Sequence, residues 1–570
     1  MPPISKHKRL RRQPPSAAAP TISGEWVSGF LERHGGILTV AFILIASLRI
    51  VATYTVFSHT SDEPAHVACG MEWLDKGAYT WEPQHPPLAR VAVALGPYLS
   101  GIRSQGVPHP KTLDLFQEDN LKIFQEGAKI FYYGKHYDRT LALARLGVLP
   151  FFWVACLAVY WWGRRYFSRA VAVVAVFLFT FIPPVLAHAS LATTDMALTA
   201  FMTLAFLTGL IWAEQPTVGH AIWFGLACGL MMLSKFSCMA FFPAIAAFAL
   251  AGYFVVERPG VNAVLRAAKA RIPTFGLAVL AALLAIWAGY RFSFGKVAFA
   301  NVSLPCPALF NGLWQVRQHA AHGHPCFLLG EIRETGFWNF YLVGIFYKSP
   351  LGFLALLGIG LVLVFRKHPL TRRLWLPLVF SGATLLVGMF STINIGLRHV
   401  LPVYVGFSLL AAVAVMKLLE AGRTQKWLWG LLSALVLWMA ASSALCHPDY
   451  IPYFNELAGT EPENILVDSD LDWGQDIKRL ATRLHEVGAT SIAWTGFVWA
   501  ELEEQHGFPR IRPLSRFRPE PGWSAVGVTL LKGHRTPLWG EEIKPHWRIG
   551  KSIYLWYFPP PGAGAQPAAR

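Results

Sequence analysis

Long apolar blocks, separated by short polar segments, occupy most of the chain. A membrane-spanning helix needs roughly twenty mostly apolar residues, and by this criterion the pattern predicts about eleven spans. The predicted spans start near Ile37, Leu141, Ala170, Leu191, His220, Ser237, Pro273, Pro350, Leu374, His399 and Trp427. The pattern therefore predicts an all-α polytopic membrane domain over residues 37–446.

Two segments between predicted spans are too long to be simple turns. Residues 58–140 form a first outer loop and residues 294–349 a second, and loops of this length usually have structure or function of their own. Within the first loop, an apolar stretch from Pro86 to Leu99 is too short to span and predicts a helix lying on the membrane face. Leu113 to Tyr133 predicts a second, amphipathic helix beside it.

The two ends of the chain have a different character from the spans. Residues 1–36 are basic and rich in Pro and Ala at their start, which predicts a disordered cytoplasmic tail. The apolar run behind them is too long for a cleavable signal peptide. Residues 447–558 alternate polar and apolar positions and predict a small soluble α+β domain, and residues 559–570 predict a disordered tail.

Composition and charge agree with a membrane protein. The 570 residues are 54% hydrophobic and only 15% charged, which is less charge than a soluble protein of this size carries. The net charge of +17 could suggest nucleic acid as a partner. The basic residues, however, cluster in short segments between apolar blocks, as topology signals do, and no basic and aromatic binding face is found.

The basic segments also predict an orientation. With eleven spans they all fall on one side of the membrane, which the positive-inside rule assigns to the cytoplasm. These segments are residues 6–12, 164–169, 258–271, 366–373 and 417–426. The N-terminus is then cytoplasmic. Both long loops, the turn before Asp195 and the C-terminal domain lie on the outer, periplasmic side of the inner membrane.

Acidic residues follow the first span and lie at the beginning of the fourth. Asp62 and Glu63 are adjacent carboxylates at the outer face, where one of them can act as a general base. The alternative is a solvated helix cap, since Thr60, Ser61 and Asp62 all suit an N-cap. Asp195 has the same two interpretations, as a helix cap or as a group that orients a basic partner.

Basic residues at the outer ends of spans run against the positive-inside tendency. On that face, Lys235 lies in a short turn between two predicted spans, and Lys348 and Arg398 with His399 each begin a span. Each could extend into lipid headgroups, but together they indicate an anion-binding pocket, with Arg398 suited to forked phosphate contacts. His85 and Arg90 flank the membrane-face helix, whose N-terminus attracts phosphate; the alternative is an interfacial anchor.

Other polar clusters give weaker signals. Seven cysteines show no metal-ligand spacing, although Cys306 and Cys326 share one outer loop and could form a disulfide. Residues 319, 322 and 324 are histidines whose irregular spacing favours a hydrated turn over a metal site. Residues 468–476 suggest a calcium loop, but Trp473 stands where glycine is needed, so a helix-capping turn is favoured. No Gly-rich phosphate loop is present.

Taken in order, these segments resemble membrane glycosyltransferases of the type C fold that use a polyprenyl-phosphate sugar. Members include bacterial relatives of protein O-mannosyltransferases and the lipid A aminoarabinose transferase. The matching pieces are Asp62-Glu63-Pro64 with His66, His85-Pro86-Pro87-Leu88, Thr194-Asp195, Ser234-Lys235, Gly323-His324-Pro325, Leu328-Leu329-Gly330-Glu331, Lys348-Ser349-Pro350, Arg398-His399 with Leu401-Pro402, and residues 468–476.

The resemblance implies roles for these residues. Asp62 corresponds to the catalytic carboxylate of the family, with Glu63 beside it. The residues implied to bind substrate or the lipid phosphate are His66, His85, Arg90, Asp195, Lys235, Lys348, Arg398 and His399. The aminoarabinose transferase binds a metal near its membrane-face helix. Gln84 stands here in place of the matching carboxylate, so the sequence leaves a divalent metal open without supporting it, and it identifies no cofactor.

The sequence thus predicts a glycosyltransferase that moves a sugar from polyprenyl phosphate to a hydroxyl on a protein, lipid A or a glycan. Asp62 is expected to act as general base in an inverting transfer at the periplasmic face. The expected partners are the donor, membrane lipid and the acceptor, and not nucleic acid. A transporter or flippase of lipid-linked sugars is the alternative, but inverted repeats and midplane ionisable residues are not found. A scaffold without catalysis is a third interpretation.

Overall fold

The computed structural model describes residues 24–110, 121–366, 373–534 and 538–560, most of them in helices. The N-terminal part contains α1 (Gly24–Val51), α2 (Glu63–Asp75), α3 (Pro87–Leu99), α4 (Lys122–Tyr132), α5 (Tyr137–Leu146), α6 (Leu149–Tyr166), α7 (Arg169–Thr180), α8 (Pro183–Ala189), α9 (Asp195–Glu214), α10 (Val218–Ser234), α11 (Cys238–Glu257) and α12 (Val261–Gly289).

The middle part contains the second outer loop and the last apolar helices. Its elements are β1 (Phe294–Lys296), β2 (Ser303–Pro305), α13 (Pro307–His322), β3 (Cys326–Leu328), β4 (Glu331–Arg333), α14 (Phe340–Lys348), α15 (Leu351–Leu363), α16 (Trp375–Met389), α17 (Val403–Ala421) and α18 (Trp427–Leu445). The strands pair as two antiparallel hairpins, β1 with β2 and β3 with β4.

The apolar helices account for all the predicted spans. Within the described residues, seven helices are long and apolar enough to cross a membrane, with α5 and α6 together counted as one. The pair α7 and α8, bent by 70°, brings the number to eight. The three shorter apolar helices α10, α15 and α16 match the remaining predicted starts. The prediction of an all-α polytopic membrane protein is therefore confirmed.

Helix α17 lies at the centre of the helix bundle. Nearly all of its side chains are buried, and α7, α15 and α16 pack around it. Its first turn is tied to α16 by Ser381, whose hydroxyl donates to the backbone oxygen of Val403 at 2.7 Å. Apolar backbone segments can be buried in this way because a helix satisfies its own N–H and C=O groups. The packed first turn of α17 therefore gives a rigid support to Arg398, which lies just before it in the chain.

The first outer loop folds into a compact helical layer over the bundle. Helix α2 packs against α3 and α4 at points where only glycine fits. A Cβ atom on Gly70 would lie 1.8 Å from the backbone oxygen of Arg90, and one on Gly127 would lie 1.9 Å from that of Pro64. Close backbone approach of this kind is a usual reason for glycine inside a helix. It fixes α3 beside the segment that carries Asp62.

The C-terminal part is a mixed α and β unit, as predicted. It contains α19 (Ile477–Glu486), β5 (Ser491–Thr495), α20 (Leu502–His506), β6 (Arg510–Pro513), β7 (Gly522–Gly527), α21 (Val528–Lys532), β8 (Trp547–Ile549) and β9 (Ile553–Phe558). The five strands form one sheet in the order β6-β5-β7-β9-β8. Strand β5 is parallel to both its neighbours, and the β7–β9 and β9–β8 pairs are antiparallel.

Some predicted details differ from the structure. Helix α1 begins at Gly24, inside the segment predicted as a disordered tail, because a nucleated helix gains a hydrogen bond with each added residue. The second amphipathic helix is observed only from Lys122, since residues 111–120 lie outside the described part of the chain. Cys306 and Cys326 are free thiols in separate apolar clusters, so the disulfide considered above is not formed. Residues 1–23 and 561–570 also lie outside the described residues.

Candidate functional site

Asp62 lies directly before α2, at the end of a tightly held loop. The backbone N–H of Ser58 donates to the backbone oxygen of Gln475 at 3.0 Å, and that of Ser61 donates to the backbone oxygen of Trp473 at 3.0 Å. The loop after the first span is thereby tied to residues more than four hundred positions later in the chain. The loop that carries Asp62 is therefore held in place by one segment that is distant in the sequence.

Four charged side chains form a row with alternating sign. The Arg398 guanidinium donates from Nη1 to Oδ2 of Asp62 at 3.0 Å. The same Nη1 lies 4.0 Å from Oδ2 of Asp195, whose Oδ1 accepts from Lys235 Nζ at 2.6 Å. The Asp62 side chain is 32% exposed, whereas those of Arg398 and Asp195 are 8% and 0% exposed. Asp62 is thus the carboxylate of this row that a substrate can reach.

Glu63 points into a separate, closed environment. Both its oxygens accept from Arg145, from Nε and Nη2, at 2.9 Å each. Its carboxylate also accepts from the backbone N–H groups of Thr60 at 2.7 Å and Ala192 at 2.8 Å. Burial raises its pKa, but the Arg145 charge and these hydrogen bonds outweigh burial, so the pKa lies below its ordinary value. Its lone pairs are already used within the protein.

Arg90, on α3, is also fully engaged. It is buried and paired with Glu82, while its Nε donates to Nδ1 of His66 at 3.0 Å. The His85 ring lies edge-on to that of His66, with 5.4 Å between ring centroids. Burial, then the Arg90 charge, lowers the pKa of both histidines well below the usual range. These histidines are therefore neutral hydrogen-bonding groups at neutral pH.

Lys348 is buried at the end of α14 and turns toward the C-terminal part of the chain. Its Nζ donates to the backbone oxygens of Ile451, at 2.6 Å, and of Asp470. The ammonium group also lies 4.3 Å from the ring centroid of Phe454. The structure thus places Lys348 against backbone carbonyls rather than in the row of charges around Arg398.

Residues 468–476, here called the acidic segment, form one wall beside Arg398. The Arg398 guanidinium lies 4.1 Å from the ring centroid of Trp473, a cation–π contact. The Asp470 carboxylate accepts from the backbone N–H of Leu397 at 3.1 and 3.2 Å. The segment that was predicted only to cap a helix therefore also supports the main cation of the site.

Two carboxyl groups of the acidic segment have raised pKa values. Burial raises the pKa of Asp468 to about 6, although the charges of His324 and Arg398 oppose it. Burial raises the pKa of Asp472 to about 7, against hydrogen bonds from the backbone of Thr529 and Gly474. Proximity of acidic groups contributes in both cases. Titratable groups with shifted pKa values are typical of functional sites.

Several buried polar atoms around Arg398 have no hydrogen-bond partner within the described part of the chain. They are His85 Nδ1, His188 Nδ1, Asp195 Oδ2, Arg398 Nε and His399 Nε2. Burying a polar group without a partner is unfavourable, and native proteins rarely do so without a reason. The charges of Lys235 and Arg398 act on all three histidines, which places these atoms around one centre. The arrangement is suited to a polar ligand.

Two residues of this centre were not predicted from the sequence. His188 lies in α8 with its ring 6.3 Å from that of Trp473, and Trp473 itself lies against Arg398. An ionisable residue inside an apolar run was the available signal for His188, because such residues are costly in a membrane and usually functional. Trp473 lies in the matching segment 468–476, but the sequence gave no signal of its contact with Arg398, since aromatic residues are common in this chain.

The histidines of the second outer loop lie close to the charged row without forming a metal site. The Asp62 charge acts on His319, and the His319 and His324 rings are 6.1 Å apart. Across the residues that the structure describes, His, Cys, Asp and Glu side chains nowhere group in threes with a geometry that could hold a metal ion.

Comparison with models of protein families supports the predicted relationship. The family model for dolichyl-phosphate-mannose-protein mannosyltransferases matches residues 139–287. No curated protein sequence matches the chain. The match bears out the predicted resemblance to glycosyltransferases that use a lipid-phosphate sugar, and with it the prediction of a glycosyltransferase enzyme. The transporter interpretation gains no support.

Two solved structures align with much of the chain at low sequence identity. The crystal structure of ArnT from Cupriavidus metallidurans bound to undecaprenyl phosphate aligns with a TM-score of 0.49 and 12% identity, over 92% of this chain and 98% of that one. Archaeal oligosaccharyltransferase AglB from Archaeoglobus fulgidus, in complex with an inhibitory peptide and a dolichol-phosphate, aligns with a TM-score of 0.44 and 13% identity. That alignment covers 79% of this chain and 58% of AglB.

Proposed function

From the family match, we propose that the chain transfers a sugar from a polyprenyl-phosphate donor to a hydroxyl acceptor, with Asp62 as general base. The observation that supports this most directly is the pairing of a partly exposed Asp62 with a buried Arg398. A reachable carboxylate beside a fixed cation provides the two groups that the reaction needs.

The proposed step is a single displacement at the anomeric carbon. Asp62 accepts the proton of the acceptor hydroxyl, the oxygen attacks the anomeric carbon, and the bond to the phosphate oxygen breaks. The polyprenyl phosphate leaves with the bonding electrons, and because the hydroxyl attacks from the opposite side, the anomeric configuration inverts. Arg398 donates to Asp62 through one oxygen only, which leaves Oδ1 of the carboxylate for the proton.

Stabilisation of the leaving phosphate is assigned to the centre around Arg398. Arg398 Nε is buried and has no partner in the described part of the chain, as expected of a donor reserved for a ligand. The ring nitrogens His85 Nδ1 and His399 Nε2 are likewise buried and have no hydrogen-bond partner among the described residues. Lys235 reinforces the positive charge from behind Asp195. Preorganised donors in a water-poor site stabilise developing negative charge strongly.

Glu63, Arg90 and Lys348 receive supporting roles in this proposal. Their side chains are already paired with Arg145, Glu82 and the backbone oxygens of Ile451 and Asp470. Glu63 then shapes the Asp62 loop, Arg90 orients His66, and Lys348 holds the acidic segment beside Arg398.

We further propose the orientation and the substrates. The positive-inside pattern puts Asp62 on the periplasmic side of the inner membrane, with the N-terminus in the cytoplasm and residues 447–558 outside it. The matching family is described by a dolichyl-phosphate-mannose donor and a protein acceptor. A polyprenyl-phosphate hexose is therefore the donor to test first, with a protein hydroxyl as the first acceptor.

The proposal is tested with Asp62→Asn in membranes supplied with a polyprenyl-phosphate sugar. General base catalysis contributes about 10²–10⁴-fold, so transfer should fall by about that factor while the protein still inserts. Asp75→Asn, at the other end of α2, is the matched control and should transfer sugar normally. Near-normal transfer by Asp62→Asn would refute the assignment of the base.

A further inference from the structure

A cavity of about 380 Å³ lies outside the Asp62 and Arg398 centre, between the first and second outer loops. Residues from α2, from the turn after α12 and from β1 contribute to its wall. Those used below are Trp73, Gly77, Thr80, Tyr290, Arg291 and Lys296. Asp62, Asp195, Lys235 and Arg398 are not among its lining residues. The cavity is therefore a separate space.

The cavity lies where a membrane span ends. Helix α12 is long and apolar enough to cross a membrane, and most of its side chains are exposed on the surface of the protein. Its last residue, Gly289, accepts a hydrogen bond from Trp73 Nε1 at 3.0 Å. Tyr290 and Arg291 follow immediately. The cavity is thus at the depth of lipid headgroups, beside a helix that contacts lipid.

A buried hydroxyl in the wall of the cavity has no partner. The side chain of Tyr290 is almost fully buried, with its ring edge-on to Tyr79 at 6.0 Å between centroids. Its hydroxyl makes no hydrogen bond to the residues that the structure describes. A buried Tyr hydroxyl normally has a partner, so a missing one points to a ligand with an acceptor atom.

Two cations in the wall are not neutralised by carboxylates of the described chain. Arg291 Nη1 donates to the backbone oxygen of Trp73 at 3.2 Å, and its guanidinium lies 4.8 Å from the Trp73 ring centroid. Lys296 makes no ion pair with a described residue. The nearby Glu72 carboxylate is occupied by Thr80, through its backbone N–H at 2.8 Å and its hydroxyl at 2.6 Å. The cavity therefore offers positive charge to an incoming group.

The backbone holds Arg291 in this place at a conformational cost. Arg291 and Phe292 have φ values of 57° and 53°, two consecutive non-glycine residues in the left-handed region. The chain reverses there, and the Arg291 guanidinium comes within 3.6 Å of the position of a Cβ on Gly77. Such strain persists where the surroundings require it and is frequent at binding sites.

We propose that this cavity binds a phosphate group, with Arg291, Lys296 and the Tyr290 hydroxyl as donors. An aromatic wall with a few convergent donors is typical of small-molecule sites, and phosphate accepts several charge-assisted hydrogen bonds. Its depth beside α12 favours the phosphate of a membrane lipid headgroup, since basic pockets between helices bind such groups. Free phosphate has the same chemistry, and the experiment separates the two sources.

The test uses the purified full chain in detergent and native mass spectrometry with dioleoylphosphatidylglycerol. Arg291→Gln with Lys296→Gln should weaken binding about tenfold or more, and Tyr290→Phe by about three- to tenfold, because charge-assisted and neutral hydrogen bonds are lost. Arg266→Gln with Lys269→Gln, at the other end of α12, is the matched control and should bind like the wild type. Asp62→Asn should also bind the lipid like the wild type, and this result would separate the cavity from the proposed catalytic site.

Three further measurements decide the interpretation. Dioleoylglycerol, which has the same acyl chains without phosphate, should not occupy the site. Displacement of the lipid by millimolar inorganic phosphate would assign the site to phosphate from any source, whereas retention would assign it to the lipid. A photoreactive phosphatidylglycerol should label residues 73–80 or 290–311. Unchanged binding by folded Tyr290→Phe together with labelling elsewhere would overturn the proposal, even if the double variant failed to fold.

Discussion

Whether a single side chain can act on a substrate depends on how many of its hydrogen-bonding positions are not already used within the protein. Asp62 and Glu63 are neighbours with the same functional group, yet Glu63 is saturated by Arg145 and two backbone N–H groups, whereas Asp62 keeps one oxygen open. Adjacent positions in the sequence do not reveal this difference. It follows from which distant residue, Arg145 or Arg398, reaches each carboxylate.

At Arg398, geometry should matter as well as charge. Arg398→Gln should lower kcat/KM for the lipid-phosphate donor by about 10²–10³-fold, because a positioned donor to the leaving oxygen is lost. Arg398→Lys retains the charge but not the planar fork and should recover only part of that loss. Steady-state kinetics with varied donor concentration measures both variants. Equal activity of the Lys and wild-type enzymes would contradict a forked contact.

At Glu63, a substitution should affect stability before chemistry. Glu63→Gln leaves the Arg145 charge buried without its partner and should destabilise the fold by about 3–5 kcal/mol. Thermal unfolding in detergent measures this, and the fraction that remains folded should keep its specific activity. Glu214→Gln removes the partner of Arg165 in a more exposed pair and should change stability by no more than about 1 kcal/mol. A catalytic Glu63 would instead give a stable, inactive protein.

At the scale of elements, the length of the apolar runs was enough to predict the helices. The sequence did not predict the polar contacts between elements. Each predicted span start falls in or directly beside an apolar helix, because the requirement for about twenty apolar residues acts locally. The acidic segment was predicted only to cap α19. Its contacts with Arg398 and Leu397 join residues more than seventy positions apart, and no local pattern encodes them. The site's residue types were thus predictable, and its pairings were not.

The acidic segment should make stability depend on pH. The pKa of Asp472 is raised to about 7, above its unfolded value of about 4. The folded protein therefore binds more protons between these values, and stability falls as pH rises from about 4 to about 7. Asp472→Asn should flatten this fall in thermal unfolding measured from pH 4 to pH 8. Asp138→Asn, which removes an exposed carboxylate, should leave this fall in stability unchanged. Equal slopes in the wild type and both variants would contradict the raised pKa of Asp472.

At the scale of the whole molecule, the candidate site is assembled from both halves of the chain. The loop before α2 is tied to Gln475 and Trp473, and the turn before α17 is tied to Asp470. The charged row itself joins Asp62 to Arg398. The C-terminal part is therefore a structural component of the site and not an appendage to the membrane helices.

Removal of the C-terminal part should abolish transfer without preventing insertion. A chain that stops after Cys446 retains the apolar helices but loses every contact that the acidic segment makes with Ser58, Ser61 and Leu397. Protease protection should show an inserted protein, and the transfer assay should show no product. A chain that stops at residue 560 is the control and should be fully active. Activity in the shorter chain would show that the acidic segment is dispensable.

The order of synthesis gives this arrangement a further consequence. Asp62 is synthesised early and Arg398 later, but Trp473 leaves the ribosome only after all the apolar helices that the structure describes have been translated. A nascent enzyme therefore holds an unfinished pocket throughout its insertion. Under the proposed mechanism, we expect no sugar transfer until the acidic segment has emerged and packed against the first outer loop.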